Sequence, residues 1–317
     1  MLRKFLLIGF WLLVPSFLMA EELGNLPPGT SAILDLIYSG RGDLAIVGAR
    51  QLQQQWPDDP LGYLLEGEAR WWQIWCSSAE YKFGMTMARH REKLAEDQAY
   101  LALSSKALTL AEAKIKVRPS AQMYLYAGMA EALAVRLYGL RWETRIAARD
   151  GVHAREYFSR ALELDPSLAD ADMGLGLYDY YVDTLSAMAR VMRFFMGLPG
   201  GSKEEGIRRL VHSMNNGQLT RENSRFYLAI DLHNYDRRYE EALKLMGPLV
   251  QQYPGNPLFL LAQGDLYAKL GRKSPALAAY RAAAAAGARM PDVKCRRKVE
   301  LLVEQSMAAV SGVIAAP

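Results

Sequence analysis

The sequence predicts an all-α protein built from stacked pairs of antiparallel helices. Two observations support this prediction. A small residue recurs twelve positions before a proline, as at Ala45 and Pro57. In addition, no stretch combines β-branched residues with the sustained alternation of apolar and polar positions that is typical of strands. Because one helix pair buries only part of its apolar face, neighbouring pairs must stack, which favours an α-solenoid.

The first segment, residues 1–20, has the layout of a secretory signal peptide. Arg3 and Lys4 precede an apolar run, and the small residue Ala20 precedes two glutamates. Residues 21–30 are interpreted as a linker. We expect an exported protein, in the periplasm first of all, with an extracellular or an N-terminally anchored protein as alternatives. No later stretch reaches the 18 or so apolar residues of a membrane span.

Charge and composition narrow the classes of partner. The whole chain carries a net charge of +4, and removal of Arg3 and Lys4 with the signal segment leaves +2. Such a balanced chain gives no reason to expect binding to nucleic acid or to an anionic membrane surface. Apolar residues make up 51% of the sequence and charged residues 23%, which is ordinary for a folded soluble protein.

The spacing between small residue and proline occurs four times, at Ala45–Pro57, Ala107–Pro119, Ala154–Pro166 and Ala242–Pro254. Proline lacks the backbone N–H and restricts the residue before it, so each proline marks the end of a helix. The small residues let two helix backbones pack closely. This set comprises Ala45, Ala107, Ala154, Gly206, Ala242 and Ala276.

The stretch EEALKLMGPLVQQYPGNPLFLLAQGDLYAKLGRKSPALAAYRAA places Gly264, Tyr267 and Gly271 between Ala242 and Ala276. These two alanines are 34 residues apart, and the chain here resembles the tetratricopeptide repeat (TPR) superfamily, whose period is 34. The resemblance covers roughly residues 31–288 and is most specific at 219–288 and at 40–57. It implies a right-handed superhelix of about six repeats that binds partners on its concave face. Residues 289–317 are then a C-terminal capping helix and tail.

The intervals between the small positions depart from this period. From Ala45 to Ala107 is 62 residues, nearly twice the repeat length. The intervals that contain Ala154 and Gly206 are also long. We therefore expect longer first helices, or longer turns after them, in repeats two, three and four.

The glycine-rich stretch GLPGGSKEEGIRRL, residues 197–210, looks at first like a phosphate-binding loop. A Walker loop, however, needs G-x-x-x-x-G-K-[ST] after a strand, and here Ser202 precedes Lys203 after a helical pattern. Ser202 and Glu205 have the spacing of a capping box. The stretch is interpreted as a helix–turn–helix connection, with phosphate binding at the exposed helix N-terminus as the alternative.

Aromatic clusters are the candidate partner-binding residues. RWWQIW places three tryptophans on the first helix of repeat two, and tyrosines occupy the first helices of repeats three and four. Core packing is the alternative for each of them. Three aromatics within five positions of a helix point in different directions, so we expect at least one to reach a surface. The candidates are Trp71, Trp72, Trp75, Tyr124, Tyr178 and Tyr181.

The residues that could carry chemistry show no catalytic or metal-binding spacing. The four histidines form no HExxH motif or close pair, and GxSxG is absent. Cys76 and Cys295 lie far apart in a linear array, so we expect two separate buried thiols rather than a disulfide. The basic stretch KCRRKVE is interpreted as the polar face of the capping helix. The sequence thus predicts no catalytic residue, no cofactor and no metal.

The leading functional hypothesis is a non-enzymatic scaffold of the cell envelope that binds a protein or peptide in its groove. The alternative is a periplasmic carrier of a small apolar or lipidic ligand. The aromatic clusters suggest the carrier, together with an apolar run that contains Met188, Met192, Phe194, Phe195 and Met196.

Overall fold

The computed structural model describes residues 26–184 and 199–312, which form thirteen α-helices and one β-hairpin. The signal segment and the apolar run at 188–196 lie outside the described residues. The helices are α1 Thr30–Tyr38, α2 Gly42–Gln55, α3 Pro60–Ser77, α4 Ala95–Val117, α5 Ala121–Leu140, α6 Thr144–Leu164, α7 Ala171–Thr184, α8 Lys203–Asn216, α9 Arg221–Asp231, α10 Tyr239–Gln252, α11 Pro257–Lys269, α12 Lys273–Gly287 and α13 Val293–Ser311. The strands are β1 Ala79–Lys82 and β2 Met85–Ala88, and a π turn, Leu232–Asp236, follows α9.

Helices adjacent in sequence are also neighbours in space. Each of the first twelve described helices contacts the next described helix along the chain. In addition, α1 contacts α3, α3 contacts α5, and α5 contacts α7, so the odd-numbered helices there form a layer of their own. The all-α prediction is confirmed. None of the described helices is long and apolar enough to cross a membrane.

The predicted helix ends are confirmed at all four prolines. The helices α2, α4, α6 and α10 each end two residues before the proline that the pattern marked. The small positions are buried, with Ala45, Ala107, Ala242 and Ala276 wholly inaccessible. These features are local in sequence, because a proline acts on its own turn and an alanine on the helix packed directly against it.

Gly206 marks a very close helix contact. A Cβ atom on Gly206 would lie 2.7 Å from the carbonyl oxygen of Gly176 and 2.8 Å from the backbone nitrogen of Tyr180. A Cβ on Gly176 would likewise meet the Gly206 carbonyl oxygen at 2.9 Å. The backbones of α7 and α8 therefore touch where only glycine fits.

The glycine-rich connection before α8 is a helix cap. The Ser202 side chain accepts a hydrogen bond from the Glu205 backbone N–H at 3.4 Å, which is one of the two bonds of the predicted capping box. The Glu205 carboxylate pairs with Arg209 at 3.0 Å. The Lys203 backbone N–H donates to the Asp183 carboxylate at 3.0 Å. A carboxylate of the chain itself therefore occupies the helix N-terminus where a phosphate would bind.

The hairpin between α3 and α4 was not predicted, and it explains much of the long interval in repeat two. Its strands pair Ala79 with Ala88 and Lys82 with Met85. Phe83 and Gly84 form the two-residue turn, both with positive φ, as a tight primed hairpin turn requires. The strands have four residues each and few β-branched side chains, so the sequence carries little strand signal. Tertiary contacts hold the hairpin, since β1 packs on α13 and β2 on α11.

The two cysteines form a disulfide, so the expectation of separate thiols is wrong. Cys76, at the end of α3, and Cys295, in α13, lie with Cα atoms 5.5 Å apart across a separation of 219 residues. The expectation assumed a linear array with these helices several layers apart. In fact the last helix packs directly on α3.

The first helix also meets a late part of the chain. The Asn256 side-chain amide donates to the Tyr38 carbonyl oxygen at 2.9 Å, and the Tyr253 hydroxyl donates to the Asp35 carboxylate at 3.1 Å. Asn256 precedes α11, whereas Tyr38 and Asp35 belong to α1. The helical array therefore closes on itself around α3.

Candidate functional site

The three tryptophans of α3 belong to the core. Trp71, Trp72 and Trp75 are 5–6% exposed. The expectation that at least one of them reaches a surface is therefore wrong. It assumed that α3 has one buried face, whereas α3 is enclosed from several directions by α1, α4, α9, α11 and α13.

Aromatic neighbours surround these tryptophans. The Trp72 ring centroid lies 6.2 Å from that of Tyr38 on α1, 4.9 Å from Phe226 on α9 and 5.5 Å from Phe259 on α11. Edge-to-face pairs at these distances stabilise beyond the apolar area that they bury. The tryptophan cluster thus joins helices from the beginning, the middle and the end of the chain.

The candidate tyrosines lie in separate places. Tyr124 on α5 is half-buried against Tyr157 of α6, with ring centroids 6.3 Å apart. Tyr178 on α7 is half-buried, and its hydroxyl donates to the Pro199 carbonyl oxygen at 2.9 Å. Tyr181, one turn further along α7, is 37% exposed. Of the six candidates, Tyr181 is the one with an exposed side chain.

Three helices, α3, α5 and α9, meet through polar side chains that were not predicted. We call α3, α5, α7 and α9 the inner helices. Arg136 of α5 donates to both carboxylate oxygens of Glu68 on α3, at 2.5 and 3.2 Å. Asn223 of α9 donates to the same carboxylate at 3.0 Å. The indole N–H of Trp71 donates to the Tyr227 hydroxyl at 2.8 Å. This network fixes the mutual positions of α3, α5 and α9.

One face of α9 carries further polar side chains beyond this network. Asn223, Tyr227 and Asp231 follow each other at intervals of four residues and so share a helix face. Tyr235, in the π turn after α9, extends the same spacing. The i, i+4 spacing is visible in the sequence, but the spacing alone does not show which helices pack against this face of α9.

At the C-terminal end of this face of α9, two tyrosines lie next to a buried carboxyl group. The Tyr181 hydroxyl donates to Asp231 Oδ1 at 3.0 Å, and Asp231 is 1% exposed. The Tyr181 and Tyr235 ring centroids lie 6.1 Å apart at an interplanar angle of 72°. Tyr235 is 54% exposed. We call Tyr181, Asp231 and Tyr235 the Asp231 cluster.

Burial dominates the electrostatics of this cluster. Desolvation raises the pKa of Asp231 well above its usual value, and the neighbouring Asp236 carboxylate raises it further. The Tyr181 hydroxyl and Lys203 act in the opposite direction. Desolvation and the proximity of Asp231 also raise the pKa of Tyr181 and of Tyr235. Burial therefore favours the protonated, neutral form of Asp231.

Two buried acceptors on α9 have unused capacity. Asn223 Oδ1 and Asp231 Oδ2 each lack a hydrogen-bond partner within the described chain. Both residues are at least nine-tenths buried. Buried polar atoms in folded proteins are nearly always paired, because an unpaired one costs about 1–3 kcal/mol. These two atoms are therefore buried polar positions of α9 that the described chain leaves without a partner.

Several other ionisable residues form ion pairs. His212 Nδ1 lies 2.7 Å from the Asp172 carboxylate, and Arg209 pairs with the same carboxylate at 2.7 Å. Residues 26–184 and 199–312 hold no group of three or more His, Cys, Asp or Glu side chains that is arranged to bind a metal. In the basic stretch of α13, Lys294 pairs with Glu96, and Arg296 donates to the Met290 carbonyl oxygen at 3.0 Å.

Comparison with known proteins adds no family to this description. No protein-family model matches the chain, and no curated protein matches it. The arguments about function that follow therefore start from the geometry of the inner helices.

Proposed function

We propose that this protein is a non-enzymatic, TPR-like scaffold of the cell envelope that binds a protein or peptide partner on the surface of its inner helices. The Asp231 cluster is the observation that carries the proposal. There, exposed aromatic side chains lie next to a buried acceptor without a partner. The predicted right-handed solenoid of about six repeats is part of the same proposal.

The aromatic exposure supports a binding surface. Tyr181 and Tyr235 present 37% and 54% of their area next to polar groups that are already held in place by inner-helix contacts. Tyrosine is enriched among residues that dominate binding energy, because it offers a large rigid contact and a hydrogen-bonding group. The tryptophan cluster is buried, so it stabilises the helices that carry this surface and does not itself contact a partner.

The disulfide supports the cellular location. Disulfides persist in oxidising compartments such as the periplasm and are rare in the cytosol. The Cys76–Cys295 pair agrees with the signal peptide predicted for residues 1–20. We therefore propose an exported protein whose fold is completed by oxidation.

The carrier hypothesis receives less support from the described residues. Its apolar run at 188–196 lies outside them. The cavity beside the disulfide, lined by Trp72, Asn256 and Met290 among others, measures about 40 Å³. A larger one of about 480 Å³, lined by Leu110, Val117 and Met123 among others, is an open surface groove rather than an enclosed pocket. Ligand pockets usually enclose about 300–1,000 Å³. The protein-binding scaffold is therefore the function that we propose.

The test is site-specific photo-crosslinking in intact cells. A photoreactive phenylalanine analogue at position 235 is compared with the same analogue at position 56, since Trp56 is a similarly exposed aromatic (41%) at the end of α2. We expect a discrete crosslinked partner from position 235 and not from position 56. The crosslink should weaken when Tyr181→Ala is added. Equal crosslinking from both positions, or none from position 235, contradicts the proposal.

A further inference from the structure

We infer that two exposed aromatic rings and the three cations beside them form a surface that docks on an anionic phospholipid bilayer. The inference goes beyond the proposed scaffold function and does not depend on it, since it concerns where the protein is held and not which partner it binds. We call this the Phe83–Trp142 surface, and it consists of Lys82, Phe83, Arg89, Arg91 and Trp142.

Both rings of this surface are exposed. Phe83, in the hairpin turn, is 55% exposed, and Trp142, which follows α5, is 57% exposed. Neither residue lines the cavity beside the disulfide or the open groove at the end of α4. A peptide usually docks in a groove or along a strand edge. A bilayer needs neither, because exposed side chains enter the headgroup layer individually.

The backbone at both rings is left-handed. The φ angle is 55° at Phe83 and 63° at Trp142. In residues 26–184 and 199–312, three residues other than glycine have a positive φ, and two of them are these exposed aromatics. Glycine or asparagine usually occupies such positions, because a bulky side chain is strained there. Strained residues of this kind cluster at functional sites, which indicates that the exposed rings themselves are needed.

Each ring has cations beside it. The Arg91 guanidinium lies 3.4 Å from the Trp142 ring centroid. The Lys82 ammonium and the Arg89 guanidinium lie 5.3 and 5.8 Å from the Phe83 ring centroid. Within the described residues, none of these three cations forms an ion pair with a carboxylate. Their charge can therefore attract an anionic surface.

The short segment 89–91 connects the two rings, and its two arginines contact one ring each. The Arg141 guanidinium, one residue before the tryptophan, donates to the His90 carbonyl oxygen at 2.6 Å. At the other end, the Lys269 ammonium donates to the Phe83 carbonyl oxygen at 2.5 Å. The chain thus holds both rings in place around one basic segment.

The combination of rings and cations suits the bilayer interface. Aromatic side chains enter the boundary between headgroups and acyl chains, and lysine and arginine are attracted to anionic lipids. Residues 79–93 hold four cations and two carboxylates, so this part of the chain is positive although the whole chain is nearly balanced. Salt screens charges further away than about 10 Å, so the local charge decides the attraction.

The experiment measures sedimentation of the oxidised mature protein with sucrose-loaded vesicles. Residues 1–20 are removed, because an uncleaved apolar signal segment would bind vesicles by itself. Vesicles of phosphatidylcholine alone are compared with vesicles of an equimolar mixture of phosphatidylcholine and phosphatidylglycerol. We expect binding to the mixture and little binding to phosphatidylcholine. Binding to the mixture should fall by about 10-fold or more when salt is raised from about 0.1 M to about 0.5 M.

Glycine variants test the rings without disturbing the fold. Phe83→Gly and Trp142→Gly remove a ring each and suit the left-handed backbone, so both proteins should stay folded. Each should weaken binding to the mixed vesicles about 5- to 20-fold. Phe83→Leu keeps an apolar side chain and should retain most of the binding. Trp56→Ala, at an exposed aromatic outside this surface, should bind like the wild type.

Charge variants test the cations. Arg89→Gln combined with Arg91→Gln should weaken binding about 10- to 30-fold. The matched control is Lys114→Gln combined with Arg118→Gln, which removes the same charge from the end of α4 and should change binding by about 2-fold or less.

Several outcomes overturn the inference. These are equal binding to both kinds of vesicle, equal effects of the two charge variants, and unchanged binding of both glycine variants. A further arm uses the acetylated and amidated peptide Gly-Glu-Phe-Glu-Gly. If this peptide binds and the mixed vesicles do not, the surface takes an acidic protein segment and the inference is wrong. None of these results depends on the crosslink at position 235, which tests the scaffold function separately.

Discussion

Asp265, on α11, shows how a single buried carboxylate holds the hairpin. It is 1% exposed and accepts hydrogen bonds from the Thr86 backbone N–H at 2.6 Å and from the Tyr280 hydroxyl at 2.8 Å. Desolvation raises its pKa from 3.8 to about 7, although the Thr86 and Tyr280 bonds oppose this. The folded state therefore binds a proton here more tightly than the unfolded chain does.

We predict that Asp265→Asn reduces the loss of stability at high pH. Because the folded-state pKa is raised, ionised Asp265 opposes folding, and this cost grows between about pH 4 and pH 7 and is constant above. Between pH 5 and pH 8 the wild type should lose about 2–3 kcal/mol of unfolding free energy relative to the variant. Urea unfolding at both pH values measures this difference.

The difference in stability between the wild type and Asp265→Asn excludes the contributions of the other titrating groups, because both proteins contain them. His233, whose burial lowers its pKa to about 4, favours the fold as pH rises, but it does so in both proteins. Parallel pH profiles for the wild type and Asp265→Asn would show that Asp265 titrates normally, contrary to this account.

At the scale of the element, α3 shows which features of a helix could be predicted from the sequence and which could not. The helix ends and the packing of small residues could be predicted, because a proline or an alanine acts on its immediate neighbours. The role of Trp71, Trp72 and Trp75 could not, since it depends on α9, α11 and α13, which lie far away in sequence. The hairpin that follows α3 escaped detection for the same reason.

The candidate site, like α3, was predicted only in part. Tyr181 was identified from its cluster of aromatics on the first helix of repeat four. Asp231 and Tyr235 were missed, although their spacing from Tyr227 is regular, because polar residues at helical intervals usually mark a solvated face. Only the contact between α7 and α9 makes them neighbours of Tyr181.

We predict that Trp72→Ala destabilises the protein by about 3–5 kcal/mol, because it removes a large buried side chain from contact with three helices. The matched control is Trp56→Ala, an exposed tryptophan whose loss should change stability by about 0.5 kcal/mol or less. Chemical denaturation of both variants provides the measurement. If Trp72→Ala unfolds like the wild type, the tryptophan cluster does not hold α3 in place.

At the scale of the whole molecule, the disulfide joins two segments separated by 219 residues. We predict that the mature protein lacks two hydrogens in a non-reducing mass measurement, mapped to Cys76 and Cys295. A long closed loop restricts the unfolded chain strongly, so reduction should lower stability by about 2–5 kcal/mol.

A double variant provides the control for this prediction. Cys76→Ser with Cys295→Ser should match the reduced wild type and should not respond to reductant. If reductant lowers the stability of the double variant as well, the effect does not come from this bond.

The closure of the helical array around α3 also has a consequence for folding. In an open solenoid each repeat contacts only its neighbours, so folding can start at any repeat and spread from there. Here the Asn256 contact with Tyr38 and the packing of α13 on α3 join the two ends of the chain. These contacts have a high sequence separation and form slowly. During synthesis, the N-terminal half therefore cannot complete its packing until the last helix has been made. We expect the folded protein to unfold in one cooperative step.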